Sequence, residues 1–170
     1  MKKALIMLIL TLFLLATVGN VFGEELAKEG LESGRNYATG TSKAIAMGEE
    51  RIQLNYEGSG IYISDTEGGF LHNASIHFLG AFHAVKGAFE ESGGMVLTAP
   101  DGDKAFVTYK GSGNLGKGAK GTVTFVGGTG KFVGITGTGE FTRHSLRSPA
   151  KDVWASFAVT KSSWKLPEKK

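Results

Sequence analysis

Polar side chains recur along residues 73–83, where their types and spacing could support chemistry. Asn73, Ser75, His77 and His83 have the same parity, so a regular strand places them on one face. An imidazole beside an amide or a hydroxyl can transfer a proton or bind a polar group. We therefore name Asn73 and His77 as candidate site residues. The alternative interpretation is the polar outer face of a half-buried strand.

A second polar group, Glu140, Arg143 and His144, follows a glycine-rich stretch near the expected rim of the fold. A carboxylate, a guanidinium and an imidazole this close together could form a polar site, and Glu140 is our third candidate site residue. The alternative is that these three residues are ordinary charges of a loop and a strand end.

The sequence predicts neither a metal site nor a cofactor. It contains no cysteine, and a strand would hold His77 and His83 about 20 Å apart, too far to share an ion. Asp101, Gly102 and Asp103 lack the further ligands and the distal carboxylate of a calcium loop, so they predict a β-turn.

Gly111, Gly113 and Gly116 form a G-x-G-x-x-G string followed by Lys117. Such strings bind phosphate when they lead into a helix whose N–H groups point at the anion. Residues 117–126 are instead glycine-rich and then β-patterned. The string therefore predicts a hairpin loop. A G-x-S-x-G turn that could present a serine nucleophile is also absent from the sequence.

The N-terminus has the layout of an export signal. Lys2 and Lys3 precede an apolar run of 15 residues, and Val21 and Gly23 stand at positions −3 and −1 before Glu24. The run is shorter than the roughly 20 residues that span a bilayer. We predict cleavage after residue 23, a bacterial source, and a periplasmic or extracellular protein with no membrane partner. An uncleaved membrane anchor is the alternative.

Cleavage also removes the basic excess. Without Lys2 and Lys3 the chain has 17 basic and 16 acidic residues, so the net charge falls from +3 to +1. No stripe of Lys and Arg with interleaved aromatic residues is present, so we expect no nucleic-acid partner.

Hydrophobic periodicity predicts an all-β fold. Apolar and polar residues alternate strictly over residues 51–56, and no segment after Glu49 repeats with the 3.6-residue period of a helix. One face of residues 70–84 is apolar (Phe70, Ala74, Ile76, Phe78, Phe82, Ala84), and so is one face of residues 153–159. We predict a single antiparallel closed barrel of about eight strands, because 26 glycines suit the kinks of a tightly coiled sheet.

The predicted organisation has four parts. Residues 1–23 are the signal peptide, and residues 24–48 are a short flexible N-terminal arm or a strand that starts near Ser42. Residues 49–164 are the barrel domain, and residues 165–170 are a basic tail.

Residues 128–137 resemble the G-T-G-x-F-x-G-x-x-G hairpin of the allene oxide cyclase and dirigent superfamily of calycin-type barrels. The Pro100–Asp103 turn, Lys104 and Phe106 are similar to uncharacterised exported bacterial members. The resemblance implies an eight-stranded antiparallel barrel, often dimeric or trimeric. In that family the cyclase closes a ring on an unstable fatty-acid epoxide in an apolar cavity, and dirigent proteins steer radical coupling.

Two functions follow as hypotheses. The first is an exported, non-catalytic barrel that either binds a small apolar ligand or serves as an envelope or interaction protein. The alternative is a cofactor-independent isomerase or cyclase acting on an oxidised lipid or a phenolic, with Asn73, His77 or Glu140 in its site. An outer face carrying Leu79 and Val85, or Trp154, would suit a homo-oligomer, either a dimer or a trimer.

Overall fold

The structure, a computed structural model, describes residues 27–168 and consists of eight antiparallel strands closed into a barrel. Each strand pairs with its neighbour in sequence, and β8 pairs with β1 to complete the ring. The predicted all-β fold class is therefore confirmed. The strands are β1 (Glu29–Ala46), β2 (Arg51–Ser64), β3 (Ala74–Val85), β4 (Ala88–Thr98), β5 (Lys104–Asn114), β6 (Gly118–Gly128), β7 (Thr136–Ala150) and β8 (Val153–Lys165).

The period-two pattern sorts side chains between the barrel interior and the outer surface. The apolar face predicted around β3 points inward, with Ala74, Ile76 and Ala84 buried. The apolar set of β8 has the opposite orientation: Ala158 and Trp164 face the core, so Phe157 and its neighbours of the same parity lie outside.

The prediction of an N-terminal arm over residues 24–48 is wrong for the part that the structure describes. Residues 29–46 form β1, which pairs with both β2 and β8, so the barrel begins at residue 29 and not at residue 49. Because small residues occupy inward positions of β1, its sequence does not show the alternation of apolar and polar residues that predicts a strand. A side chain at Gly34 would clash with Tyr62, and one at Gly40 would clash with Trp154.

The other predicted terminal segments are covered only in part. Lys165, assigned to the basic tail, is the last residue of β8, and its Nζ lies 3.6 Å from Oε2 of Glu29. The predicted signal peptide, Lys169 and Lys170 lie outside the described residues. Within residues 27–168, no helix is long and apolar enough to cross a membrane.

One end of the barrel is closed by aromatic side chains. The loop between β2 and β3 folds Phe70 inward, where its ring stacks on Trp164 at 4.3 Å between centroids. Phe132, from the 3-10 turn Gly130–Phe132, meets Phe70 edge to face at 5.4 Å. Phe132 and Ile135 are almost completely buried, so this plug seals the end where β1 begins.

The glycine string is confirmed as part of a hairpin. Gly111 and Gly113 lie in β5, and Gly116 occupies the turn to β6 with φ +75°. The next element is the strand β6, so the string does not lead into a helix. Asp101 likewise lies in the turn between β4 and β5, and its Oδ2 accepts a hydrogen bond from Lys131 Nζ at 2.6 Å.

Candidate functional site

The open end of the barrel contains a cup of about 200 Å³. All eight strands and the β5–β6 turn contribute to its wall, and most of the large side chains come from β2, β3, β4 and β8. The cup is mainly apolar and aromatic because these strands turn their large side chains inward near this end. The apolar lining residues are Leu54, Phe78, Phe82, Phe89, Leu115 and Trp154.

A smaller chamber of about 70 Å³ lies in the barrel interior. Phe78, Arg143 and Ser156 line both the cup and the chamber, so the two spaces adjoin. The chamber has apolar walls with polar groups on part of its surface. Those polar groups belong to Asn36, Tyr109, Arg143, Ser156 and Thr160.

A buried polar cluster adjoins the chamber. Glu91 Oε2 accepts one hydrogen bond from Tyr56 Oη at 2.8 Å and another from Arg143 Nη2 at 2.9 Å. Tyr109 Oη donates to Tyr56 Oη at 3.0 Å. The side chain of Glu91 is fully buried, and that of Arg143 retains 23% exposure. The carboxylate is therefore paired with a cation that can also reach the cavity.

Local sequence explains how the cluster fits inside the barrel. Glu91 has the parity of the buried Phe89 on β4, and Arg143 has the parity of the buried Phe141 on β7. Both side chains must therefore point inward. Space for the Tyr109 hydroxyl exists because Gly80 and Gly93 have no side chains to occupy it.

The two phenols of the cluster are hydrogen-bond donors at neutral pH. Burial, reinforced by the charge of Glu91, raises the pKa of Tyr56 far above its ordinary value. Burial also raises the pKa of Tyr109 to about 12, although its hydrogen bond with Tyr56 acts in the opposite direction. Both phenols are therefore un-ionised near pH 7.

Two buried side-chain oxygen atoms have no hydrogen-bond partner among the described residues. They are Glu91 Oε1 and Asn36 Oδ1, and Asn36 lines the chamber. The Asn36 amide nitrogen lies 3.5 Å from Thr160 Oγ1, at the limit of a hydrogen bond. An unpaired buried acceptor is costly, so the chamber favours a guest group that donates a hydrogen bond.

The three candidate site residues do not lie in this cavity. Asn73, His77 and Glu140 are all exposed on the outside of the barrel. His77 Nε2 is 2.8 Å from Glu57 Oε1, a surface pair. Glu140 lies on β7, four strands away from His77 on β3, so the two are on opposite sides of the barrel. The structure therefore does not bring them together.

The reason is strand parity. His77 alternates with Ile76 and Phe78, which point inward, and Glu140 alternates with Gly139 and Phe141 in the same way. Asn73 precedes β3 with φ +61°, a left-handed conformation that Asn tolerates well. The alternative interpretation, a polar outer face, is the one that the structure favours.

Sequence reasoning named one member of the interior cluster and missed three. Arg143 was recognised as a possible site residue, whereas its neighbour His144 is exposed and stacks on Phe157. Tyr56, Glu91 and Tyr109 received no functional assignment. Their parity relative to buried residues was the available signal, since a Glu in step with Phe89 and Leu97 must face inward.

Comparisons with known proteins add little to this geometry. No protein-family model matches the sequence, and no curated protein matches it. Among solved structures, the chain is similar to one described as the pterocarpan synthase dirigent protein GePTS1. The similarity has 11% identity and a TM-score of 0.49, and covers 86% of this chain and 92% of the other. Similarity at this level says nothing about activity.

Proposed function

We propose that the protein binds one small, mainly apolar molecule in the cup, with the polar end of that molecule in the interior chamber. The observation that carries this proposal is the asymmetry of the barrel. One end is sealed by the Phe70–Trp164 plug, and the other opens through an aromatic cup to a chamber with polar groups. An eight-stranded barrel is wide enough to hold one small ligand.

The cavity dimensions restrict the ligand to a single ring or a short chain. The cup measures about 200 Å³ and the chamber about 70 Å³, whereas pockets for drug-sized ligands measure about 300–1,000 Å³. Asn36 Oδ1 lacks a donor among the described residues, and the partly exposed guanidinium of Arg143, which also lines the chamber, can donate further hydrogen bonds. A hydroxyl group on the ligand can satisfy both, because it donates and accepts.

Native mass spectrometry of the protein purified from its own host tests the proposal. We expect an added mass that is released on unfolding and belongs to one small molecule. The Ser156→Met variant should lose this mass, because Ser156 lines both spaces. Ser59→Met, a matched change on the outer surface of β2, should retain it. Bare protein, with no rise in Tm from single-ring or short-chain alcohols, aldehydes and carboxylic acids, would reject ligand binding.

The two tryptophans report where a ligand binds. Trp154 lines the cup and Trp164 belongs to the plug. A ligand in the cup should change the tryptophan fluorescence of the Trp164→Phe variant and leave that of Trp154→Phe nearly unchanged. The opposite pattern would indicate that the ligand binds at the closed end, next to Trp164.

A second candidate function, an isomerase or cyclase acting on an oxidised lipid or a phenolic, is supported by the buried cluster. Glu91 has a carboxylate oxygen without a partner, and Arg143 reaches the cavity. A carboxylate can remove a proton while a guanidinium and neutral phenols stabilise a developing oxyanion.

Product formation from a fatty-acid epoxide or a small phenolic tests this activity. Turnover should fall at least about a hundredfold in Glu91→Gln, given the usual size of general-base effects. It should remain unchanged in His77→Ala, which alters only the outer surface. A product yield equal to that of buffer alone would dismiss catalysis while leaving ligand binding open.

A further inference from the structure

The rim around the open end consists of four hairpin tips. In an antiparallel barrel, the β1–β2, β3–β4, β5–β6 and β7–β8 connections all lie at the same end. Backbone hydrogen bonds tie three of these tips together. The Lys86 amide donates to the Glu50 carbonyl at 2.9 Å, and the Leu115 amide donates to the Gly87 carbonyl at 2.9 Å. These three tips therefore form one continuous surface, and the β7–β8 tip lies at the same end of the barrel.

This rim carries an excess of positive charge. On or next to the tips there are seven basic and four acidic residues, not counting the interior pair of Glu91 and Arg143. The basic residues are Lys43, Arg51, Lys86, Lys117, Lys120, Arg147 and Lys151, and the acidic residues are Glu49, Glu50, Glu90 and Asp152. The excess is concentrated at the rim ends of the adjacent β5–β6 and β7–β8 hairpins, where four of the seven basic residues lie and Asp152 is the only acidic residue of the four named.

The connecting loops at the opposite end of the barrel carry more negative than positive charge. These loops carry four acidic residues (Asp65, Glu67, Asp101 and Asp103) and one basic residue, Lys131, whereas the net charge of residues 24–170 is +1. The positive rim is therefore a local feature of one end of the molecule, separate from the overall charge of the chain.

Large apolar side chains stand beside these cations and point into solvent. Ile45 is 69% exposed, Met47 57%, Leu146 46% and Leu115 41%. Ile45 and Met47 belong to the β1–β2 tip, which neighbours the β7–β8 hairpin in the ring. Leu115 also lines the cup, so the apolar part of the rim continues into the cavity.

We infer that this rim docks onto the surface of an anionic lipid bilayer, with the mouth of the cup facing the membrane. Cations attract acidic headgroups, and neighbouring apolar tips can enter the boundary between headgroups and acyl chains. This orientation places the cup against the phase in which apolar molecules dissolve. The inference stands on the rim alone and does not require that the cup binds a ligand.

A lipid surface fits the rim better than a nucleic acid does. Ile45, Met47, Leu115 and Leu146 are aliphatic, whereas single-stranded nucleic acids are held by aromatic side chains that stack on bases. The sequence alone predicts no membrane partner once the predicted signal peptide is removed. The clustering of cations and apolar tips at one end becomes visible only when the hairpins are assembled.

Vesicle flotation tests the inference. Residues 24–170 are used because they contain all eight strands of the closed ring, and because the apolar segment of residues 4–18 would itself bind lipid. We expect this protein to float with phosphatidylcholine vesicles that contain phosphatidylglycerol. Flotation with pure phosphatidylcholine vesicles should be at least tenfold weaker, and salt should reduce binding to the anionic vesicles.

Two sets of variants separate the contributions of charge and apolar contact. The triple change Lys117→Glu, Arg147→Glu and Lys151→Glu should reduce binding at least tenfold. The matched control reverses three exposed lysines elsewhere (Lys28, Lys104 and Lys161), and should bind as the parent does. Equal loss in both charge triples would overturn the inference, because overall charge would then be the cause.

The second set removes apolar tips. Changing Ile45, Met47 and Leu115 to Ser should weaken vesicle binding several-fold and leave heparin binding unchanged. The matched control changes Leu31, Val126 and Val133 to Ser, which are 88%, 57% and 60% exposed and lie away from the rim. If the two triple serine variants bind vesicles equally well, the rim is a general polyanion surface and the membrane inference is wrong. Circular dichroism checks that every variant is folded.

Discussion

At the scale of single residues, the buried pair of Glu91 and Arg143 affects the stability of the barrel directly. The Glu91 side chain has no exposed surface, so its carboxylate depends on Tyr56 and Arg143 for stabilisation. Taking one partner away from a buried ion pair leaves a charge in a medium that solvates it poorly. Replacing both partners with apolar groups avoids that penalty.

We therefore predict that Arg143→Met lowers the free energy of unfolding by about 3 kcal/mol, the range found for broken buried pairs. The double variant Glu91→Leu with Arg143→Met should recover most of this loss. The surface pair of His77 and Glu57 is the control, and His77→Ala should change stability by less than about 1 kcal/mol. Urea unfolding curves measure all three. A double variant no more stable than Arg143→Met would contradict this account.

The tyrosines provide a pH-dependent prediction at the same scale. Burial raises the pKa values of Tyr56 and Tyr62 far above normal and that of Tyr109 to about 12. Since these phenols ionise at lower pH in the unfolded chain than in the folded one, their contribution to stability is complete below the ordinary pKa of 10.0 and is lost as the pH rises above it.

Tyrosinate absorbance measures this directly. Near pH 11, most of the tyrosine in the folded protein should remain un-ionised, whereas the chain in guanidinium should ionise with a pKa of about 10. The unfolding free energy should fall over the same interval. Complete ionisation near pH 10 in a protein that circular dichroism shows to be folded would mean that the phenols are not buried.

At the scale of the elements, glycine permits strands to carry large interior side chains. A Cβ at Gly111 would lie 2.9 Å from Phe141 Cζ and 3.2 Å from Glu91 Oε1. Gly116 belongs to the same G-x-G-x-x-G string and is surrounded by open space, and it needs glycine only for its φ of +75°. Two positions of one motif therefore require glycine for different physical reasons: Gly111 for space and Gly116 for its backbone conformation.

Alanine substitutions separate these reasons. Gly111→Ala should destabilise the barrel by about 1–3 kcal/mol, the usual range for overpacking. Gly116→Ala should cost only about 1 kcal/mol, the usual penalty for a left-handed non-glycine residue. Thermal unfolding compares the two variants. Equal losses of stability in the two variants would show that the packing around Gly111 relaxes freely. If the unchanged protein binds inorganic phosphate and either variant binds it more weakly, the phosphate-loop interpretation would be supported instead.

At the scale of the whole molecule, the ring closes between β1 and β8, so every strand of the barrel lies after residue 28. The ring formed by the described residues is closed without residues 1–23. This arrangement agrees with the prediction of a cleavable export signal, which stays a prediction because those residues lie outside the described structure.

Expression of the full chain in a bacterial host tests the export prediction. The product should appear outside the cytoplasm and begin at Glu24, which N-terminal sequencing and intact mass determine. Gly23→Leu should block processing, because signal cleavage requires a small residue at position −1. A cytoplasmic protein that retains Met1 would contradict export.

Assembly belongs to the same scale. Leu79 and Val85 lie on the outer surface, with exposures of 57% and 36%, whereas Trp154 faces the cup. The dimer or trimer expected from the sequence stays a prediction, which light scattering after size exclusion can test.

The sequence by itself determined the fold class and the pairs of residues that share a face. Both depend on local periodicity, because successive side chains of a strand alternate between its faces whatever the strand pairs with. Residues 51–56 and 70–84 follow this rule clearly. The glycine content supported closure for an equally local reason, since a tightly coiled strand needs positions without side chains.

Only the tertiary structure decided which face is inside, where the ring closes, and which residues form the site. The small residues of β1 carry no apolar signal of their own, and this strand is defined by pairing with residues 52–64 and 154–165. Glu91 and Arg143 are 52 residues apart in the chain and meet because both point into one narrow barrel. His77 and Glu140 have side chains suited to catalysis, but both lie at strand positions that face outward. Which of the two alternating faces points inward is determined by the packing of the whole sheet.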